Sequence, residues 1–220
     1  MNFLKSATIA CLVFTIGCKS EPKNETSADT AETVAEASAE AVSYAAETEN
    51  STIEWKGFKP TGTHTGFVNI KSGNLKFNGE AIEGGDFTID MNTITVTDLE
   101  GKGKDGLEAH LKGTAEEKED HFFNVAEFPT ASFAITGLSE AEGKKMLEGN
   151  LTIKGITKNI AFPVSITSTE ETVVLESEPF TINRTDWNVN YGSKSIFADL
   201  GDKFINDEIE LKVSLKANKG

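Results

Sequence analysis

From residue 51 onward the chain alternates apolar and polar side chains with a period of two. The last run is the cleanest: Ile209, Leu211, Val213, Leu215 and Ala217 are separated by Glu210, Lys212, Ser214 and Lys216. Ile160, Phe162, Val164 and Ile166 form a second run, Phe87, Ile89 and Met91 a third, and Ala131, Phe133 and Ile135 a fourth. Shorter pairs recur at Ile53/Trp55, Leu75/Phe77, Leu151/Ile153, Val173/Leu175 and Phe180/Ile182. Alternation of this kind sends one set of side chains to each face of a strand, so each run predicts a half-buried strand. Turn signals separate them: Lys71-Ser72-Gly73-Asn74, Asn78-Gly79, Glu83-Gly84-Gly85, Gly143, Gly155-Ile156-Thr157 and Tyr191-Gly192. Many short strands joined by glycine-rich turns predict an antiparallel sandwich or barrel.

One stretch leaves this rhythm. Between Thr97 and Glu127 the chain passes Gly101, Gly103 and Gly106, then Leu107–Lys112, then the charged run Glu116-Glu117-Lys118-Glu119-Asp120. A connection of this length inside a compact domain usually serves function. The pattern predicts one short helix near Leu107–Lys112 and a single turn near Asp120–Asn124.

The first fifty residues are a different material. Residues 1–17 read as an export signal, with Lys5 as the positive end and an apolar stretch from Ala7 to Ile16 that is too short to span a bilayer. The segment closes on Gly17-Cys18, which resembles a bacterial lipobox, although Thr15 stands where leucine is commonest. On that resemblance Cys18 is acylated and begins the mature chain. Residues 18–50 hold eight alanines and seven glutamates, with Tyr44 as the single aromatic. They are expected to be a disordered Ala/Glu-rich tether, leaving residues 51–220 as the folded domain.

Charge and cysteine content narrow the functions further. The chain carries 35 acids against 21 bases, a net charge of −14. Nucleic-acid backbones need clustered cations, so no nucleic-acid partner is expected. Cys11 and Cys18 are the only cysteines, which leaves the domain without disulfide, thiol nucleophile or thiolate metal site. No nucleophile elbow, zinc-protease helix, phosphate loop or dinucleotide fingerprint is present, and no enzymatic activity is expected. His110 and His121 flank Glu116, Glu117, Glu119 and Asp120. This is read as a solvated acidic loop with two structural histidines rather than a metal site.

Several fragments in order resemble the YceI-like family of exported bacterial domains. Glu108-Ala109-His110-Leu111-Lys112 is similar to its acidic-x-His-Leu-basic segment, and His121-Phe122-Phe123-Asn124-Val125 with Phe128-Pro129 to its Phe-Phe-acidic-Val and aromatic-Pro. Leu147 to Lys158 is similar to its Gly-x-Leu-Thr-(Ile)-(basic)-Gly-Val-Thr hairpin, and the final strand, Glu208 to Ala217, also fits. His121 and Asn124 depart from the family pattern, where an aspartate and an acid are usual. The resemblance implies a lipocalin-like barrel that binds an isoprenoid or similar amphiphile. The expected architecture is all-β: an eight-stranded antiparallel barrel with a short helical excursion.

A barrel of this size either packs solid or encloses one ligand. The inward candidates to line a cavity are Phe67, Phe77, Phe87, Ile89, Phe133, Ile135 and Phe162. Phe122, Phe123 and Phe128, in the irregular stretch, are candidates for its mouth. His64 could meet a polar head group. Arg184 and Asp186 read as a local ion pair beside Trp187, with Arg184 and Trp187 also candidates for ligand contact. No cofactor is expected other than a bound polyisoprenoid or quinone. The expected location is the bacterial cell envelope, anchored through Cys18 on the periplasmic side or at the outer membrane, and a homodimer stays open. Two other readings stay open too: a solidly packed interaction or stress-response module, and an accessory to isoprenoid-quinone redox chemistry with His64 or His110 as acid-base group.

Overall fold

The structure, a computed structural model, describes residues 24–79 and 81–220. The export signal and Cys18 lie outside the described residues. Eleven strands and one α-helix are formed among them: β1 Asp29–Thr30, β2 Val42–Ala46, β3 Thr52–Lys59, β4 Gly62–Asn78, β5 Ala81–Val96, α1 Gly101–Lys112, β6 Thr130–Ala141, β7 Lys144–Ile153, β8 Ile156–Ser168, β9 Thr172–Ser177, β10 Phe180–Asn183 and β11 Glu208–Lys219. All ladders between named strands are antiparallel. Strands β4 to β9 pair in sequence, β9 pairs with β11, β11 with β3, and β3 with β4, which closes the sheet. Strands β2 and β3 lie end to end along one edge of β11, and β9 and β10 along the other. The circuit therefore has eight strand positions, as the expected eight-stranded barrel requires. Closure gives every strand of the circuit a neighbour on both sides, which removes the free edge strand that would recruit another chain.

Two of the turn signals mark bulges instead. Ser72 and Gly73 lie inside β4, where its register against β5 shifts between Ile70 and Ser72, and Gly84-Gly85 lies inside β5. Extra residues of this kind bend a long strand around a barrel without ending it. The glycine-rich run at 101–106 is helical rather than loop, so α1 begins six residues before the expected Leu107. Its hold comes from tertiary contacts. The Val96 N–H at the end of β5 donates to Glu108 at 2.9 Å, and Lys104 donates to the Val96 carbonyl. One helix turn thus satisfies both orphan groups where β5 leaves the sheet.

The boundary at residue 51 is corrected. Strand β2 pairs Val42–Ala45 with β4 and Tyr44–Ala46 with β11, and Tyr44 is buried against Phe77 with ring centroids 5.8 Å apart. Residues 24–32 also lie on the barrel. They run along the seam where β8 and β10 do not meet: the Thr26 N–H donates to the Thr181 carbonyl at 3.0 Å, and the Ala161 N–H donates to the Thr26 hydroxyl at 3.1 Å. Asp29 and Thr30 then pair with β8, and Glu32 exchanges two hydrogen bonds with the buried Asn150 side chain. An alanine-rich tract can do this because it fills unpaired backbone positions and needs almost no side-chain burial beyond Tyr44.

The interior has two halves. Leu75, Phe77, Phe87, Phe133, Ile135, Phe162 and Phe180 fill the end where the pairs Asn78–Ala81 and Ala141–Lys144 close the β4/β5 and β6/β7 ladders. Phe162 stacks on Phe180 at 4.3 Å, and Phe133 tilts against Phe162 at 5.6 Å. Gly149 makes room for this plug, since a methyl group there would stand 2.3 Å from the Phe133 ring. The other end holds a smaller cluster of Val68, Ile89, Met91, Ile94, Val125 and Ala131. It does not pack solid. No helix among the described residues is long and apolar enough to cross a membrane.

Candidate functional site

The open end of the barrel holds a cavity of about 300 Å³. Its walls are Ile53, Trp55, Val68, Ile89, Met91, Ile94, Ala131, Leu151 and Ile153, all strand residues. Trp187, Ile182, Ile209 and Leu211 close a further side, and Leu107, Leu111, Phe122 and Phe123 cover it from the helical excursion. Trp55 lies flat against its wall only because residue 66 is glycine; a methyl group there would be 2.5 Å from the indole and 1.9 Å from the Thr95 carbonyl. Both indole N–H groups are spent on the barrel, Trp55 on the Phe67 carbonyl at 3.3 Å and Trp187 on that of Leu151 at 3.1 Å. The rings therefore offer apolar faces to the cavity.

The cover is built from the two halves of the irregular segment. Gly113 ends α1 in the left-handed conformation, and the chain turns back so that the Phe123 and Val125 N–H groups donate to the Leu111 and Lys112 carbonyls at 3.1 and 2.9 Å. These would otherwise be unpaired at the helix end. Asn124 sits at φ 45°, a left-handed conformation that asparagine tolerates better than other L residues. The Lys154 side chain, only 4% exposed, reaches from the β7–β8 hairpin to Asp120 at 2.7 Å. That bond, followed by partial burial working the other way, leaves the Asp120 carboxyl below its usual range. The acidic insert is thus clamped to the barrel rim.

Few polar groups face the cavity. His64 stands at its rim with Nδ1 2.8 Å from Asp98. Burial tends to raise the Asp98 pKa, but the Thr65 N–H and His64 outweigh it and hold the carboxyl low. His110 lines the cavity and meets His121, Nε2 to Nδ1, at 2.8 Å. Burial first, then His121 and Lys118, push the His110 imidazole below its ordinary range. Tyr191 stacks on His121 at 4.1 Å and stands edge-on to His110 at 4.9 Å. No group of three or more metal-ligating side chains is assembled among the described residues.

The structure sorts the residues expected at the site. Ile89, Phe122, Phe123, Trp187, His64 and Arg184 line the cavity. Phe77, Phe87, Phe133, Ile135 and Phe162 point inward as expected but belong to the aromatic plug and do not line this cavity. Phe67 faces out of the barrel, because Gly66, Val68 and Ile70 take the inward positions of β4. Phe128 leans on Gly155 at the rim and does not reach the cavity. The ion pair is also corrected. Arg184 pairs with Asp207 at 3.5 Å, not with Asp186, and its guanidinium donates to the Val189, Ile205 and Asn206 carbonyls. It is spent on holding loop 184–207. Trp55, Met91, Ile94, Leu111, Ile209 and Leu211 are lining residues the expectation missed. Trp55, Met91, Ile209 and Leu211 stand in the alternating runs; what the sequence lacks is which end of each strand lies at the mouth.

Taken together, the molecule is a closed antiparallel barrel, plugged by aromatic side chains at one end and carrying an apolar pocket under a helical cover at the other. The YceI-like domain model matches residues 44–217, and the chain belongs to the YceI-like family. Its fold is shared with the crystal structure of BcnA from Burkholderia cenocepacia, at 21% identity and a TM-score of 0.59 over 78% of this chain and 99% of that one. It is shared too with a polyisoprenoid binding domain from Saccharophagus degradans implicated in plant cell wall breakdown, at 13% identity and a TM-score of 0.57 over 81% and 99%. No curated protein matches the chain.

Proposed function

We propose that the protein binds a long-chain amphiphile, a polyisoprenoid, quinone or fatty compound, with its tail in the cavity and its head at the rim. The observation that carries this is the cavity itself: apolar walls on all sides, with His64 and His110 among the few polar groups at its edge. The fold it shares with a polyisoprenoid binding domain supports the same reading. At about 300 Å³ the space is at the lower end of small-molecule sites, which run from roughly 300 to 1,000 Å³. A short amphiphile fits within it; a long prenyl chain fills it with its first units and leaves by the mouth.

Energetics favour exchange over trapping. Each buried methylene is worth about 0.8 kcal/mol against water, so one isoprene unit approaches 4 kcal/mol. A bilayer offers those carbons the same relief, and the net preference for the protein is small. Such a site suits a carrier that loads and unloads at a membrane. We place it in the bacterial envelope, tethered through an acylated Cys18. The test is native mass spectrometry of protein purified from a bacterial periplasm without detergent. The reading expects a discrete extra mass, released by organic solvent and matching an isoprenoid, quinone or fatty compound. Only apo mass, persisting after incubation with lipid extract and quinones, would leave the packed interaction module in its place.

A further inference from the structure

Five large apolar side chains are exposed among the described residues, and three of them, Tyr191, Ile196 and Phe197, lie on one loop. Ile196 is 51% exposed and Phe197 47%. The loop, residues 190–204, hangs from Val189 and Ile205, which both line the cavity. It is fixed at its base by the Ile205 N–H donating to Gly192 at 2.8 Å and by Ser195 donating to the buried Asp207 at 2.6 Å. Nothing in the barrel calls for two bare apolar side chains at its tip, and exposed apolar patches beside a binding site mark contact surfaces.

We propose that this loop is where the barrel touches a lipid bilayer, so that the cavity mouth meets the membrane first. Two observations choose the bilayer as occupant. The loop that carries the apolar tip is joined to the cavity mouth: its Tyr191 packs on His121 and on Phe122, and Phe122 lines the cavity. The loop carries Lys194 and Lys203 against Asp199 and Asp202, so it is locally neutral on a chain of net charge −14. It is a place where an acidic protein approaches a membrane without net repulsion. This rests on the carrier reading for its purpose, though not for its geometry.

The test uses the full chain on phosphatidylcholine vesicles with brominated acyl chains. Phe197→Trp adds one reporter at the tip. Val34→Trp, at a site 44% exposed and outside this loop, is the control. The proposal expects the indole at 197 to shift to the blue and to be quenched severalfold more than the one at 34. A double variant, Ile196→Glu with Phe197→Glu, should slow loading of a fluorescent prenyl probe from vesicles by about tenfold or more, the two apolar contacts being lost. Its equilibrium binding of the same probe from dilute detergent should be unchanged. Equal, water-like emission at both positions would overturn the proposal, as would loading of the double variant at the parent rate. Concentration-dependent self-association that the double variant loses, without quenching, would assign the tip to a second copy and overturn it too. Quenching at 197 in a protein that loads no probe would uphold the docking surface while removing the carrier reading.

Discussion

Arg184 illustrates how a residue that looks like a head-group contact is claimed by the fold. Buried beside Trp187, its guanidinium is matched by three carbonyls and Asp207. Burial lowers its pKa and Asp207 and Glu208 oppose that, and a guanidinium so paired stays charged. Arg184→Met should cost about 3–5 kcal/mol in a denaturant melt, because it strands the buried Asp207 and several carbonyls. His110 carries a different signature. The folded protein holds it below its ordinary pKa of 6.5, with His121, Lys118 and the Tyr191 ring around it. The unfolded chain then takes up a proton first as the solution is acidified. The associated stability is fully present above about pH 6.5 and is lost as pH falls toward the lower folded value. Asp98, Glu108 and Asp120, all held low, titrate below that window. Thermal melts from pH 7.5 to 5.5 should show a falling Tm that His110→Gln flattens.

Among the elements, the strap along the β8–β10 seam is the least expected. A chain beginning at Ser51 loses Tyr44 from the core, the pairing of β2 and the bonds from Thr26 to Ala161 and Thr181. Burial of the tyrosine and the bonds together make a loss of about 3 kcal/mol or more the expected result in urea. A chain beginning at Glu32 removes the strap alone. It should leave Tyr44 in place and raise hydrogen exchange selectively at Ala161 and Thr181. The alternating runs made β3, β5, β6 and β8 to β11 legible because each buries one face. The first half of β4 was not legible: Thr63, Thr65 and Asn69 face out and Gly66 faces in, so no apolar period survives. Strand β2 hid behind alanine and serine for the same reason. Helix α1 hid behind three glycines, since what holds it is Lys104 and Glu108 gripping Val96 across space. For the site, alternation gives inside from outside, and does not give plug from pocket. That distinction comes from which strand end carries the large rings.

At the scale of the whole molecule, the barrel is neither hollow nor solid. The aromatic plug supplies rigidity and the mouth half supplies capacity, so the two functions separate by position. Substitutions should separate likewise. Phe162→Ala opens a hole in the plug and should cost about 3–5 kcal/mol of stability while leaving the pocket walls in place. Ala131→Phe extends a ring into existing space, so its cost should be far smaller than that of overpacking a filled core. The most direct test of a ligand carried in the mouth half is native mass spectrometry of the parent, Ala131→Phe and Phe162→Ala, each purified without detergent. The structure predicts an extra mass on the parent and on Phe162→Ala, and none on a folded Ala131→Phe. A ligand retained by Ala131→Phe, or lost only with Phe162→Ala, would contradict it.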